Sequence, residues 1–150
     1  MSTRANVKII GSKGEVIWLY KHHDGYPTHT GWKLEFAFHN NDSLADAVDT
    51  LIEDHMFETT TEQHGDINWF YNIKVSKDEW TLEITEFHYH FDGEENLYSD
   101  ILNPVNKVQD ERFSWTGSKS EVWTKYKIYE MKEAIKEAKH KLQYYENRNI

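Results

Sequence analysis

The stretch VKIIGSKGEVIWLYK, residues 7–21, is typical of a β-hairpin. Two runs rich in β-branched and aromatic residues flank a glycine-containing turn, residues 11–14, and this arrangement predicts antiparallel pairing. The next segment is HHDGYP, residues 22–27, in which Asp-Gly and Pro both end regular structure. The sequence therefore predicts two strands of a sheet, with a polar turn at the end of the second.

Helical periodicity follows the turn. Thr30 is a candidate cap for a short helix over residues 32–39, and residues 41–43 offer caps for a second helix. Apolar residues of that second helix recur at i, i+3, i+4, i+7 and i+8, which indicates one buried face. They are Leu44, Ala47, Val48, Leu51 and Ile52.

The second half of the chain predicts another hairpin and a long helix. Residues 67–75 and 80–91 are expected to pair around a turn at Lys77-Asp78, whereas residues 97–118 give few periodic cues. From about Val122 the chain is predicted to be helical, with apolar residues in steps of three and four. These are Ile128, Met131, Ile135, Ala138, Leu142 and Tyr145.

We expect this C-terminal stripe to pack on the sheet, because two or three heptads are few for a coiled coil. Pairing of two chains through the same helix, to give a homo-oligomer, is the alternative. The predicted fold is a single α+β domain over residues 1–150. Its antiparallel sheet of two hairpins packs with two to three helices, including the long C-terminal one.

Composition excludes several classes of protein. The chain has no cysteine, so disulfides, thiolate metal sites and a cysteine nucleophile are all ruled out. The first residues lack the apolar run of a signal peptide, and no stretch approaches the roughly 20 apolar residues of a membrane span. We therefore predict a cytoplasmic protein that does not associate with membranes.

The formal net charge of −9 is unevenly distributed. Residues 1–34 carry five basic and two acidic groups, whereas residues 35–91 carry two basic and thirteen acidic groups. The acidic segment would repel a phosphate-rich polymer, which argues against general nucleic-acid binding. It is either a solvated surface that maintains solubility or a face for a basic protein. A small anionic ligand is compatible with the basic N-terminal third.

Two polar segments are the best candidates for a binding site. The turn at residues 22–27 gathers imidazoles, a carboxylate and a phenol, and Arg4 offers a planar fork of donors for an anion. Structural roles compete here, because Asp24 can close an Asx turn, Gly25 can adopt positive φ, and Arg4 can pair with Asp24. His64-Gly65-Asp66 repeats this chemistry just before the strand at 67–75. If that strand neighbours residues 16–21, the two polar ends converge.

A third group is Glu86, His88 and His90, which share one face of a strand. Two imidazoles and a carboxylate are a ligand set for zinc or non-haem iron. However, the rise of a strand spreads alternate residues over roughly 13 Å, so three of them could reach one ion only at a bulge. A structural role for this group is the favoured interpretation. Glycine-rich phosphate loops and the common hydrolase motifs are absent.

Two blocks of the sequence resemble small, uncharacterised proteins of bacteriophages and mobile elements. These proteins open with Ser-Thr-Arg, carry a Tyr-x-His-x-Asp-Gly-Tyr-Pro string and later a His-Gly-Asp-Ile string. Here the blocks are residues 2–27, with YKHHDGYP at 20–27, and residues 64–73, HGDINWFYNI. The resemblance implies a viral setting, in a host cytoplasm, and names no reaction. It points to the residues Arg4, His22, Asp24, Gly25, Tyr26, Pro27, His64, Gly65 and Asp66.

Three functions remain open from the sequence. The first is a non-enzymatic phage-type protein that sequesters a small anionic, nucleotide-like ligand, such as an immune signal of the host, without a cofactor. Its predicted ligand-binding residues are Arg4, Lys21, His22, Asp24, Tyr26, Trp32, His64, Asp66 and Tyr71. The second is an inhibitor that binds a host protein through the acidic segment 42–66. The third is a metal-dependent hydrolase, built from some of His22, His23, Asp24, His64, Asp66, His88 and His90.

Overall fold

A computed structural model describes residues 3–53, 57–89 and 107–148. Strands and helices alternate irregularly along the chain, as the α+β prediction requires. The elements are β1 (Ala5–Ile10), β2 (Val16–Lys21), a π-helical turn (Pro27–Gly31), α1 (Trp32–His39), α2 (Leu44–Glu53), β3 (Glu58–Thr60), β4 (Trp69–Val75), β5 (Trp80–Tyr89), β6 (Lys107–Gly117) and α3 (Lys119–Arg148).

The six strands form one sheet in the order β3-β2-β1-β4-β5-β6. Both predicted hairpins are confirmed, since β1 pairs with β2 and β4 pairs with β5 in antiparallel register. The two hairpins join through β1 and β4, which are parallel, with Ala5 opposite Trp69 and Ile9 opposite Ile73. β2 and β4 are therefore not neighbours, because β1 lies between them.

The main hydrophobic core lies between one face of the sheet and the helices. Alternate strand residues such as Val7, Leu19 and Ile73 point into it, and the expected face of α2 joins them. A smaller cluster on the other face consists of Tyr20, Ile67 and Phe87, with Phe70 packed against them, and contains no helical residue. Thus the two faces of the sheet have different partners.

Two edge strands were not predicted. β3 consists of Glu58, Thr59 and Thr60, and β6 spans residues that we left unassigned. Both are polar strands at the edges of the sheet, where one side of the backbone has no neighbour and charged side chains are common. β6 also contains a bulge at Arg112, since Ile84 pairs with Phe113 and Thr85 with Glu111.

Thr30 does not cap α1, in contrast to our expectation. It lies inside the π-helical turn, where its hydroxyl donates to the carbonyl oxygen of Asp24 at 2.7 Å. α1 begins at Trp32 without a side-chain cap, because the preceding turn already continues the helical path. The cap predicted for α2 is confirmed, since the backbone N–H of Asp46 donates to Ser43 Oγ at 3.1 Å.

The apolar stripe of α3 does not pack on the sheet, so that prediction was wrong. Val122, Trp123 and Tyr126 are the buried residues of this helix, and they precede the stripe or lie off it. Ile128, Met131, Ile135 and the distal stripe residues are exposed. Periodicity identified an apolar face correctly, but it could not indicate which side of a long helix contacts the sheet.

His90, Phe91, Asp54 and the loop predicted at 92–96 lie outside the described residues. Within the described ranges, no helix is both long enough and apolar enough to cross a membrane.

Candidate functional site

Four predicted site residues converge around one aromatic ring that we did not single out, that of Tyr20. Its hydroxyl donates to Asp66 Oδ2 at 3.0 Å, and Arg4 Nε lies 3.5 Å from the same oxygen. The imidazole of His64 stacks on the Tyr20 ring at 3.9 Å, and His22 meets the ring edge-on at 4.5 Å. We call these five residues the Arg4–Tyr20 cluster.

The topology of the sheet explains this convergence. Arg4 immediately precedes β1 and Asp66 shortly precedes β4, and the first residues of two parallel neighbours meet at the same end of a sheet. β2 runs antiparallel to β1, so its last residues return to that end. The polar ends of β2 and β4 therefore meet across β1, although the strands themselves are not adjacent.

Asn6 fixes the loop that carries His64. This buried amide donates from Nδ2 to the carbonyl oxygen of Leu19 at 2.9 Å. Its Oδ1 accepts the backbone N–H of His64 at 2.6 Å. Asn6 lies in the N-terminal block, residues 2–27. A single polar residue inside a strand does not indicate from the sequence that its side chain holds a distant loop.

The cluster combines charges of both signs next to aromatic surface. Burial, followed by the charge and hydrogen bond of Asp66, raises the pKa of Tyr20 to about 12, so its hydroxyl remains a donor. His22 Nε2 lies 3.0 Å from Glu58 Oε1, and both side chains are exposed. Arg4 pairs with Asp66 rather than with Asp24, the partner that we had considered. The Arg4 side chain is 40% exposed, and its two terminal nitrogens make no hydrogen bond or ion pair with the described residues.

The turn at residues 22–27 is largely architectural. Asp24 itself adopts positive φ, at 55°, whereas Gly25 does not. Steric restriction explains the glycine at position 25, because a Cβ there would lie 2.8 Å from the Cβ of Ala5. The carboxylate of Asp24 closes no Asx turn among the recorded contacts, and accepts the hydroxyl of Tyr26 at 3.1 Å.

Lys21 and Tyr71, both predicted to contact ligand, are buried beneath this turn. Lys21 is 1% exposed, and its Nζ donates to the carbonyl oxygen of Asp24 at 3.2 Å. Tyr71 is 0% exposed, and its hydroxyl donates to the carbonyl oxygen of Gly25 at 2.6 Å. Both side chains therefore hold the backbone of the turn, and neither offers a surface to a ligand.

Tyr26 and Trp32 lie at other places on the surface. Tyr26 lines a groove of about 460 Å³ beside α3, together with Trp69 and Tyr129. Trp69 packs on the helical side of the sheet, so this groove and the Arg4–Tyr20 cluster lie on opposite faces. Trp32 stacks on Phe36 at 5.7 Å in a separate groove between α1 and α2. The nine predicted residues thus do not form a single site.

Glu86 and His88 contact the guanidinium of Arg112. Arg112 Nη2 lies 2.8 Å from Glu86 Oε1 and 3.0 Å from Asp110 Oδ2, and His88 Nε2 is 2.9 Å from the same oxygen of Glu86. Hydrogen bonding to Glu86 raises the pKa of Arg112, so the guanidinium supplies the cation for these groups. His90 is outside the described part of the chain. Among the residues that the structure describes, no three His, Asp or Glu side chains are placed to hold a metal ion.

Comparison of the chain with protein-family models, with curated proteins and with solved structures found no match. The chemistry of the Arg4–Tyr20 cluster and of the face around it is therefore the basis for assigning a function.

Proposed function

We propose that this protein binds and sequesters a small anionic, nucleotide-like ligand at the Arg4–Tyr20 cluster. The observation that carries the proposal is the partly exposed side chain of Arg4 beside the stacked rings of Tyr20 and His64. Its buried Nε lies 3.5 Å from Asp66 Oδ2, and its two terminal nitrogens make no hydrogen bond or ion pair with the described residues. The terminal nitrogens of an arginine form a planar pair of donors that can bind both oxygens of a phosphate or carboxylate group.

Aromatic surface for a base lies next to this cation. Trp18 is partly exposed on the same face of β2 as Tyr20, and its ring meets Phe70 edge-on at 6.0 Å. Lys8 Nζ lies 5.2 Å from the centroid of Trp18 and adds a second positive charge. Stacking on aromatic rings contributes about 1–3 kcal/mol per base in nucleic-acid complexes, so such a platform could hold one base.

The two carboxylates of this region fit the sugar of a nucleotide. Asp66 belongs to the cluster and Glu58 borders it, and acidic side chains accept hydrogen bonds from ribose hydroxyls in dinucleotide sites. They also weaken attraction for a long polyanion, consistent with a small ligand rather than a nucleic acid. The resemblance to phage and mobile-element proteins supports sequestration of a host defence signal as the biological role.

Isothermal titration calorimetry and thermal shift against cyclic mononucleotides, cyclic dinucleotides and ADP-ribose test this proposal. We expect at least one of these nucleotides to bind and to raise the melting temperature. Arg4→Ala should weaken that binding at least about tenfold, since a charge-assisted hydrogen bond contributes roughly 1.5–3 kcal/mol.

The matched control is Lys13→Ala, which removes a positive charge from the exposed tip of the β1–β2 turn. It should bind like the unmodified protein. Absence of heat with every nucleotide, together with an unchanged melting temperature, would contradict the proposal. Equal affinity in Arg4→Ala would move the site away from the cluster.

A further inference from the structure

Among the residues that the structure describes, no other element covers the distal half of α3. Every residue from 134 to 148 is exposed, over a length of about 22 Å at the rise of an α-helix. Met131, Ile135, Leu142 and Tyr145 are each more than half exposed. Isolated helices of this length are marginal in water, and contiguous exposed apolar surface marks interaction sites.

The apolar stripe faces away from the sheet. Tyr126 is buried and Tyr129 packs against the core, while Glu133 and Glu137 line the groove beside Tyr26. At 100° per residue, Ile135 and Leu142 lie on the opposite side of the helix from these residues. Three lysines, Lys132, Lys136 and Lys139, run along one flank of the stripe and border Ile135. The free face is therefore apolar with a basic edge.

A groove with the complementary character lies between α1 and α2. Its volume is about 500 Å³, and it is lined by Trp32, Phe36, Leu51 and Phe57 together with the polar residues Lys33, Thr50 and Glu53. Trp32 is 44% and Phe36 49% exposed. A groove with an aromatic and aliphatic floor and polar edges suits the general mode in which an amphipathic helix lies in a hydrophobic groove.

One edge of this groove is acidic. Glu53 lines it, and Asp46 and Asp49 lie on the same side of α2 at spacings of seven and four residues. All three side chains are exposed. The row of three carboxylates along α2 is thus as long as the row of three lysines along α3, and it carries the opposite charge.

Pairing of two α3 helices fits less well. An antiparallel pair that buries the whole stripe places Lys132 opposite Lys139 of the second copy, and Lys127 opposite Arg148. A parallel pair places Lys127 opposite Lys132. Attractive pairs accompany these repulsive ones, because Glu146 faces Lys125 in the antiparallel pair and Lys141 in the parallel pair. Neither arrangement gains a row of three opposite charges of the kind that α2 offers.

We propose that the distal half of α3 docks into the α1–α2 groove of a second copy of this chain. Ile135, Leu142 and their neighbours cover Trp32 and Phe36, and the lysine row lies along Asp46, Asp49 and Glu53. Two such contacts, related by a two-fold axis, give a closed dimer. This proposal is independent of ligand binding at the Arg4–Tyr20 cluster, which lies on the other face of the sheet.

Sedimentation velocity of the full chain over a range of concentrations tests the assembly. Two charge-reversal variants test its geometry: Lys132→Glu/Lys136→Glu/Lys139→Glu, the lysine variant, and Asp46→Lys/Asp49→Lys/Glu53→Lys, the acidic-row variant. The unmodified protein should be dimeric, and each variant alone should self-associate at least about tenfold more weakly. An equimolar mixture of the two variants should recover a dimer, since reversed charges again face each other.

The control Lys13→Glu/Lys77→Glu changes two exposed turn lysines and should remain dimeric. Circular dichroism checks that every variant is folded. A monomeric unmodified protein overturns the proposal, as does undiminished self-association of the acidic-row variant. Stronger self-association of the lysine variant also overturns it and indicates pairing of two α3 helices.

Discussion

The hydroxyl of Tyr71 donates a hydrogen bond of 2.6 Å to the carbonyl oxygen of Gly25. This contact joins the centre of the sheet to the turn that carries the most conspicuous sequence motif of the chain. Part of the motif is therefore in contact with the core of the fold. The distinction between supporting and exposed residues of the motif can be tested by mutation.

Tyr71→Phe should destabilise the protein and leave nucleotide binding intact. The substitution keeps the ring but removes the hydroxyl, which leaves the carbonyl oxygen of Gly25 without this donor. The expected cost is about 1–3 kcal/mol of unfolding free energy. Chemical denaturation measures it. If the variant is as stable as the unmodified protein but no longer binds nucleotide, the prediction is contradicted and Tyr71 contacts the ligand.

Gly31→Ala should be strongly destabilising, because a Cβ at this position would collide with the hydroxyl and ring of Tyr126. Tyr126 is buried and donates to the carbonyl oxygen of Pro27 at 2.7 Å, so it cannot move freely. Overpacking of this kind costs about 1–3 kcal/mol. The control Gly65→Ala meets no atom within 4 Å and should change stability by less than about 0.5 kcal/mol. Equal melting temperatures for the two variants would contradict this packing.

Asp66→Asn should lower the pKa of Tyr20 from about 12, because the charge of Asp66 is the second cause of the shift after burial. The pKa should stay above the ordinary value of 10.0, since burial remains. NMR titration of the tyrosine ring carbons measures both values. The control Asp24→Asn removes a carboxylate that contacts Tyr26 instead, and should leave Tyr20 unchanged.

Glu130→Gln should gain stability relative to the unmodified protein as pH rises. Burial raises the pKa of Glu130 above its ordinary value of 4.5, against the opposing attraction of Lys127 at 3.5 Å. A raised folded-state pKa means that the native state binds the proton more tightly than the unfolded state. The stability from this proton is full below pH 4.5 and is lost as pH rises through the folded pKa. Glutamine cannot ionise and so does not lose this stability. The difference in unfolding free energy between Glu130→Gln and the unmodified protein, measured by chemical denaturation at several pH values, should therefore increase in favour of the variant as pH rises.

The hairpins and both short helices were predictable because their signals are local. Turn glycines at 11 and 14 set the first hairpin, and the periodic residues from Leu44 to Ile52 set α2. β3 and β6 were missed because an edge strand needs only one neighbour and can be polar, as Glu58 and the charged residues of β6 show. Their pairing depends on distant strands, which local sequence does not specify.

Four members of the candidate site were predictable from the sequence, but its central residue was not. Arg4, His22, His64 and Asp66 do meet, as their polarity at strand ends suggested. Tyr20 was missed because an aromatic residue in a strand usually signals packing. Lys21 was misassigned because a lysine is rarely buried, and only its neighbours Asp24 and Phe57 explain why this one is.

The parallel pairing of β1 with β4 also has a kinetic consequence. The backbone N–H of Arg4 donates to Asn68 Oδ1, 64 residues away, so a long loop must close before the two halves of the cluster meet. Contacts of such sequence separation form slowly, because the chain loses entropy before the contact stabilises it. A nascent chain that has not yet extended beyond β4 therefore lacks the binding groups in their final geometry. Formation of the cluster would in this way report that β1 and β4 have paired.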